Sequence, residues 1–343
     1  GRPTAGRDAG VRTPTPDLVL SSAPFSRETA TTPRIMLEVV WAALVVLAVA
    51  CWTFGIAALL IVGAATAGAI LAEWFFTRSA VPSPLGDYSA LLTGLLLGLT
   101  LPPAMPLWMA FLGGASGIGL GKLIWGGLGQ NLFNPALVGR AFLQAAFPTA
   151  ITTWSSPVGP EGFFRVPPGL FVAPLLRARV DAVSAATPLG LAKFEQHLTG
   201  YGDLLLGHTA GSLGETSAVV LVLCGLWLGA RRLFDWRLPV ATCLSIGVCA
   251  GALHWLQPAV HPPPAFALLS GGALFAAVFM VTDPVTTPTT ARGAWIFGLG
   301  VGFLIVIIRQ FGGLPEGVMY AILFMNALTP HINRFTQPRT FGA

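Results

Sequence analysis

Charge is what this chain has least of. Only 10% of its 343 residues are Asp, Glu, Lys or Arg, against roughly 25% in a soluble globular domain. With 54% hydrophobic residues and a mean hydropathy of +0.73, that scarcity excludes a water-soluble protein. It leaves an integral membrane protein built from helices. Cysteine is scarce too. Cys51, Cys224, Cys243 and Cys249 lie inside apolar runs and form no CxxC, so they read as small packing residues rather than a disulfide or an iron–sulfur ligand set. The five histidines show no ligand spacing. A net charge of +5 could suggest nucleic acid, but no basic patch interleaves with aromatics. The cations are spread over the loops, as membrane topology requires.

Residues 1–34 are polar and rich in Pro, Thr and Arg, which predicts a disordered cytoplasmic tail. Apolar segments follow at about 35–53, 55–76, 86–101, 106–125 and 134–147. A long polar loop, 148–212, separates them from segments at about 213–230, 237–256, 265–281, 293–310 and 316–332. The chain ends in a short tail, 333–343. Segments 86–101 and 134–147 fall short of the roughly 20 residues a spanning helix needs. They are bounded by Pro102-Pro103 and by Asn134-Pro135, as half-length helices meeting near the midplane would be. Ala90-Leu91-Leu92-Thr93-Gly94 is similar to Ala267-Leu268-Leu269-Ser270-Gly271, and Leu132-Phe133-Asn134-Pro135-Ala136-Leu137 to Leu323-Phe324-Met325-Asn326-Ala327-Leu328. The expected fold is therefore an all-α polytopic membrane protein of about ten transmembrane segments in two inverted five-helix repeats, 35–147 and 213–332. The Lys and Arg bias places both termini in the cytoplasm and the 148–212 loop outside.

The polar segment contains Val180-Asp181-Ala182-Val183-Ser184-Ala185-Ala186-Thr187-Pro188-Leu189-Gly190. Pro188 biases Thr187 away from helical dihedrals, and the alanines leave its hydroxyl open, so an exposed, flexible loop hydroxyl is expected. Gly126-Gly127-Leu128-Gly129-Gln130-Asn131-Leu132-Phe133-Asn134-Pro135 reads either as a tight re-entrant turn or as a polar cradle for a heteroaromatic ring. In Phe279-Met280-Val281-Thr282-Asp283-Pro284-Val285-Thr286, Asp283 at membrane depth is costly unless it caps a turn, binds a cation or pairs. Glu73 and Lys122 are expected near the interface, where snorkelling explains them. Arg140 is a partner for an anionic group, or pairs with Glu73 or Asp87. Gly117-Ile118-Gly119-Leu120-Gly121-Lys122 lacks the spacing of a nucleotide fingerprint and predicts helix packing through glycine.

These three motifs resemble those of the RnfD/NqrB family of membrane subunits, found in respiratory complexes that couple electron transfer to Na⁺ or H⁺ movement. The Asp181–Thr187 stretch is similar to the motif at which a flavin transferase joins FMN to threonine by a phosphoester, with Ala185 where glycine is common. The resemblance spans about 35–332, and chain length and short tail look more like RnfD. It implies FMN covalently bound to Thr187, with Asp181 and Ser184 as motif residues. It also implies riboflavin in the membrane part, where Asn131 and Asn134 are the candidate contacts, and Asp283 as a cation-linked carboxylate. Other membrane subunits, a second covalent-flavin subunit and the flavin transferase are the implied partners. The implied location is the bacterial inner membrane, with the Thr187 loop periplasmic. The attached flavin would bring its own one- or two-electron chemistry. A rival reading is a solute transporter or channel, since the fold class also looks similar to urea channels.

Overall fold

The computed structural model describes residues 31–78, 84–167, 169–174, 185–215, 217–313 and 315–338. Asp181 and Ser184 lie outside them. The described residues are helical with no strand. In chain order the helices are α1 (Thr32–Phe54), α2 (Ile56–Thr77), α3 (Ser89–Leu99), α4 (Leu107–Ile118), α5 (Pro135–Ala146), α6 (Pro148–Ile151) and α7 (Pro188–Gly190). Then come α8 (Tyr201–Leu206), α9 (Ala218–Ala230), α10 (Arg237–Leu256), α11 (Pro264–Leu269), α12 (Ala273–Phe279), α13 (Ala291–Phe311) and α14 (Val318–Thr336). Four of them, α1, α2, α10 and α13, are long and apolar enough to cross a membrane. The protein is a multi-pass membrane protein.

Two of the expected short segments are the 11-residue α3 and the 12-residue α5. Asn134 starts α5: its side-chain oxygen accepts from Ala136 N at 3.0 Å, and Pro135 occupies the first turn, where its missing N–H is no loss. The sequence reading of 265–281 as one segment is corrected. The chain leaves the helix at Ser270, turns through Gly271 at φ 62° and re-enters as α12. A break at this depth strands carbonyls that lipid cannot satisfy. Arg309 of α13 supplies the donors, to Ala267 O at 2.7 Å and Ser270 O at 3.2 Å. Arg140 of α5 does the same for Thr100 O at the end of α3.

Packing follows one order in both halves. The helix α2 lies against α3 and α4, and α4 against α5; α10 lies against α11 and α13, and α13 against α14. Backbones touch at these crossings. A Cβ on Gly114 would run into Ala65 O of α2, and one on Gly302 into Thr242 O of α10. Small residues permit that approach where packing rather than water drives helix association. Loop 148–167 meets the seam between α1 and α2: Val158 and Gly159 donate to Thr53 O, and Phe163 O accepts from Ile56 N at 2.8 Å.

Candidate functional site

Thr187 has the extended backbone that its following proline demands, φ −71° and ψ 155°. Its hydroxyl is not an exposed loop tip. The residue is buried, and Oγ1 accepts from Gly190 N at 3.1 Å, capping α7. Three tethers fix it there. Ala185 N donates to Trp154 O at 2.9 Å. Leu189 packs with Ala192, Leu204 and Phe266, carrying the segment down onto α11. Lys193 Nζ, one turn further on, donates to Arg309 O at 2.7 Å and Gly312 O at 2.5 Å. A cation on the last carbonyls of α13 is favourable because those carbonyls have no helical partner.

Thr187 lines a cavity of about 430 Å³, within the roughly 300–1,000 Å³ typical of small-molecule sites. Its walls combine rings from Trp154, Phe194 and Phe275 with the charges of Arg140, Glu215, Arg309 and Glu316. Arg140 pairs with neither Glu73 nor Asp87. Its Nη2 donates to Glu316 Oε2 at 2.7 Å, across to the loop between α13 and α14. Burial first, and the like charge of Glu215 second, push Glu316 up to about 7, against the pull of Arg140 and Arg309. Sequence reasoning passed over Glu215, Glu316 and Lys193. It passed over Arg309 as well, although a cation closing an apolar run was the available signal.

Asn131 and Asn134 line a second cavity with Asp283, distant from them in the chain, and with Ser89, Lys122 and Thr282. Asn134 is committed to its cap. Asn131 Nδ2 donates to Phe133 O at 3.2 Å, while its buried Oδ1 has no partner. Asp283 caps a turn, accepting from Val285 N at 3.1 Å and Thr286 Oγ1 at 3.2 Å. Among the described residues no group of three His, Cys, Asp or Glu could hold a metal ion. At about 70 Å³ the space holds a few waters, each needing about 10–15 Å³. Asn326 is buried with both amide atoms unpartnered, and lines neither cavity.

The snorkelling expected of Glu73 and Lys122 is corrected. Both are buried, and Lys122 Nζ bonds Glu73 Oε1 and Ser89 Oγ, with Asp87 Oδ2 at 3.5 Å. Lys122 sits on a π-helical turn, Gly119–Leu123, that extends α4, an irregularity frequent at functional sites. Both cavities border α12, whose Phe275 and Ala276 line the first and Val278 and Phe279, further along the helix, the second.

Comparison with known proteins supplies the family. The chain is 42% identical over 324 residues to the D subunit of the ion-translocating oxidoreductase complex of Stutzerimonas stutzeri, covering 90% of this chain and 92% of the relative. It is 39% identical to the D subunit of the proton-translocating ferredoxin:NAD(+) oxidoreductase complex of Clostridium ljungdahlii, covering 94% and 96%. Against the corresponding ion-translocating oxidoreductase protein of Salmonella newport the identity is 38%, covering 94% and 98%. The family model described as "NQR2, RnfD, RnfE family" matches residues 19–342, and the chain belongs to that family.

Proposed function

We propose that the chain is the RnfD-type membrane subunit of an ion-translocating oxidoreductase complex and carries FMN on Thr187 by a phosphoester. The observation that carries the cofactor is the setting of Thr187: the motif threonine opens into a cavity of about 430 Å³ with aromatic walls and two arginines. Flavin there supplies one- or two-electron transfer. The protein's part is to place it. The Pro188 turn and the Lys193 anchor hold the ester oxygen at the cavity wall. Arg140 and Arg309 are the cations that would face the phosphate, and Trp154, Phe194 and Phe275 offer apolar faces to the ring.

The matching packing order of the two halves supports two inverted five-helix repeats, ten segments in all, with both termini in the cytoplasm and Thr187 on the periplasmic side of the bacterial inner membrane. Asn131 and Asp283 then lie toward the cytoplasm, in a largely apolar pocket where they are among the polar groups available to water or a cation such as Na⁺ or H⁺. Other subunits of the complex, including a second flavin-carrying one, and the flavin transferase are the partners. In cells making both the transferase and the complex, tryptic peptide 180–193 is expected to carry the mass of FMN less one water. Thr187→Ala should abolish covalent flavin fluorescence from this protein while leaving its assembly intact. Flavin retained by Thr187→Ala would show the attachment to be elsewhere, and a redox-silent protein would point to a solute channel.

A further inference from the structure

The Thr187 cavity brings three carboxylates, of Glu195, Glu215 and Glu316, together with Arg140 and Arg309. Glu316 belongs to the loop joining α13 to α14, outside the helices, and Arg140 of α5 bonds its Oε2 at 2.7 Å. Arg309 of α13 faces it as a second cation, and Glu215 of the Leu213–Glu215 turn as a second carboxylate. Glu195 from the turn after α7 and Tyr320 from α14 complete the titratable lining, with Lys193 held on the end of α13. Thr187, Glu215 and Glu316 also line a smaller space together. The Glu316 side chain remains 23% exposed, which leaves it a route to water.

A phosphoester and an added electron would both bring negative charge into a cavity that already sets Glu195, Glu215 and Glu316 against Arg140 and Arg309. Charges a few ångströms apart interact strongly once water is thinned out. We infer that Glu316 is the proton-accepting carboxylate of this cavity, taking up one proton from water when an electron arrives at Thr187 and returning it when the electron leaves. The inference rests on the reading of Thr187 as the flavin tether. A one-electron donor elsewhere in the complex would supply the electron that bound flavin would store, and Glu316 carboxylate plus one proton becomes the carboxylic acid. One electron and one proton enter together, so the cavity's net charge is unchanged. Reoxidation reverses both. Glu316 is suited to this because burial and Glu215 already hold its titration near neutrality, at about 7.

Infrared difference spectra of the purified complex read the carbonyl stretch of a protonated carboxyl directly. With dithionite as reductant, a reduced-minus-oxidised spectrum is expected to gain that band, and a pH-difference spectrum to show it titrating near neutrality. Both bands are lost in Glu316→Gln. Should that variant fail to assemble, Glu215→Gln serves instead: losing the like charge shifts the titration to lower pH. In Thr187→Ala the pH-driven band stays and the reduction-driven band disappears. A reduction-driven band that survives Glu316→Gln or Thr187→Ala overturns the inference, as does titration in the ordinary carboxylate range. An unmodified 180–193 peptide in the same preparation would strike down the tether and its coupling, whereas a modified peptide without the reduction-driven band would strike down the Glu316 role alone.

Discussion

Exchanging Lys122 for methionine keeps most of the side-chain volume and deletes the ammonium that joins α2, α3 and α4. Glu73, fully buried, then faces apolar surroundings with neither carboxylate oxygen paired, since Oε2 has no partner even now. Asp87 can turn to water, because its side chain is 18% exposed. Removing one partner of a buried ion pair typically costs about 3–5 kcal/mol, whereas replacing both by apolar groups is often neutral. The Ser89 hydroxyl accepts from the same ammonium, and a hydrogen bond to a charged group contributes about 1.5–3 kcal/mol. Lys122→Met should therefore destabilise more than Ser89→Ala, which leaves the Lys122–Glu73 pair in place. The double variant Glu73→Leu with Lys122→Met should recover most of the loss. Equilibrium unfolding in mixed micelles, with SDS as denaturant, gives the four corners of the cycle. If the Lys122→Met loss were below about 1 kcal/mol, or the two single losses simply added in the double variant, the pair would not be the buried unit described.

Lys193→Met removes two charge-assisted bonds to Arg309 O and Gly312 O, each worth roughly 1.5–3 kcal/mol; faster amide exchange around Thr187 is the expected result, with α2 and α10 unaffected. Gly114→Val should fail to fold, because its side chain meets the α2 backbone at Ala65 O; a monodisperse gel-filtration peak would contradict the close crossing. Glu316 has its folded-state value raised from 4.5 to about 7, so its contribution to stability is fully present below about 4.5 and lost as pH rises through about 7. Stability should thus fall between about pH 4.5 and 7 and level off above, in the wild type more than in Glu316→Gln, as read by SDS midpoints at a series of pH values.

The membrane class was legible because scarce charge and long apolar runs are properties of the whole chain. The shortness of α3 and α5 was legible because Pro102-Pro103 and Asn134-Pro135 act locally. What escaped was set by partners distant in sequence. The gap between α11 and α12 is crossed by apolar residues on both sides, and the donors that stabilise it come from Arg309, 39 and 42 residues away. Thr187 looked open because its neighbours are small; the atoms that cover it belong to other segments, as the bond from Ala185 to Trp154 illustrates. Glu73 and Lys122 each looked like an interfacial charge, and only their meeting across 49 residues buries them as a pair. The three motifs were visible, and the structure adds that Asn131, Asn134 and Asp283 share one cavity while Thr187 faces another.

The most direct test of the flavin account is the mass of tryptic peptide 180–193 from the native complex. Thr187 as the tether predicts FMN less one water on that peptide, placed on Thr187 by fragmentation and absent when the transferase is deleted. An unmodified peptide from transferase-competent cells, or flavin found on Ser184, would contradict it.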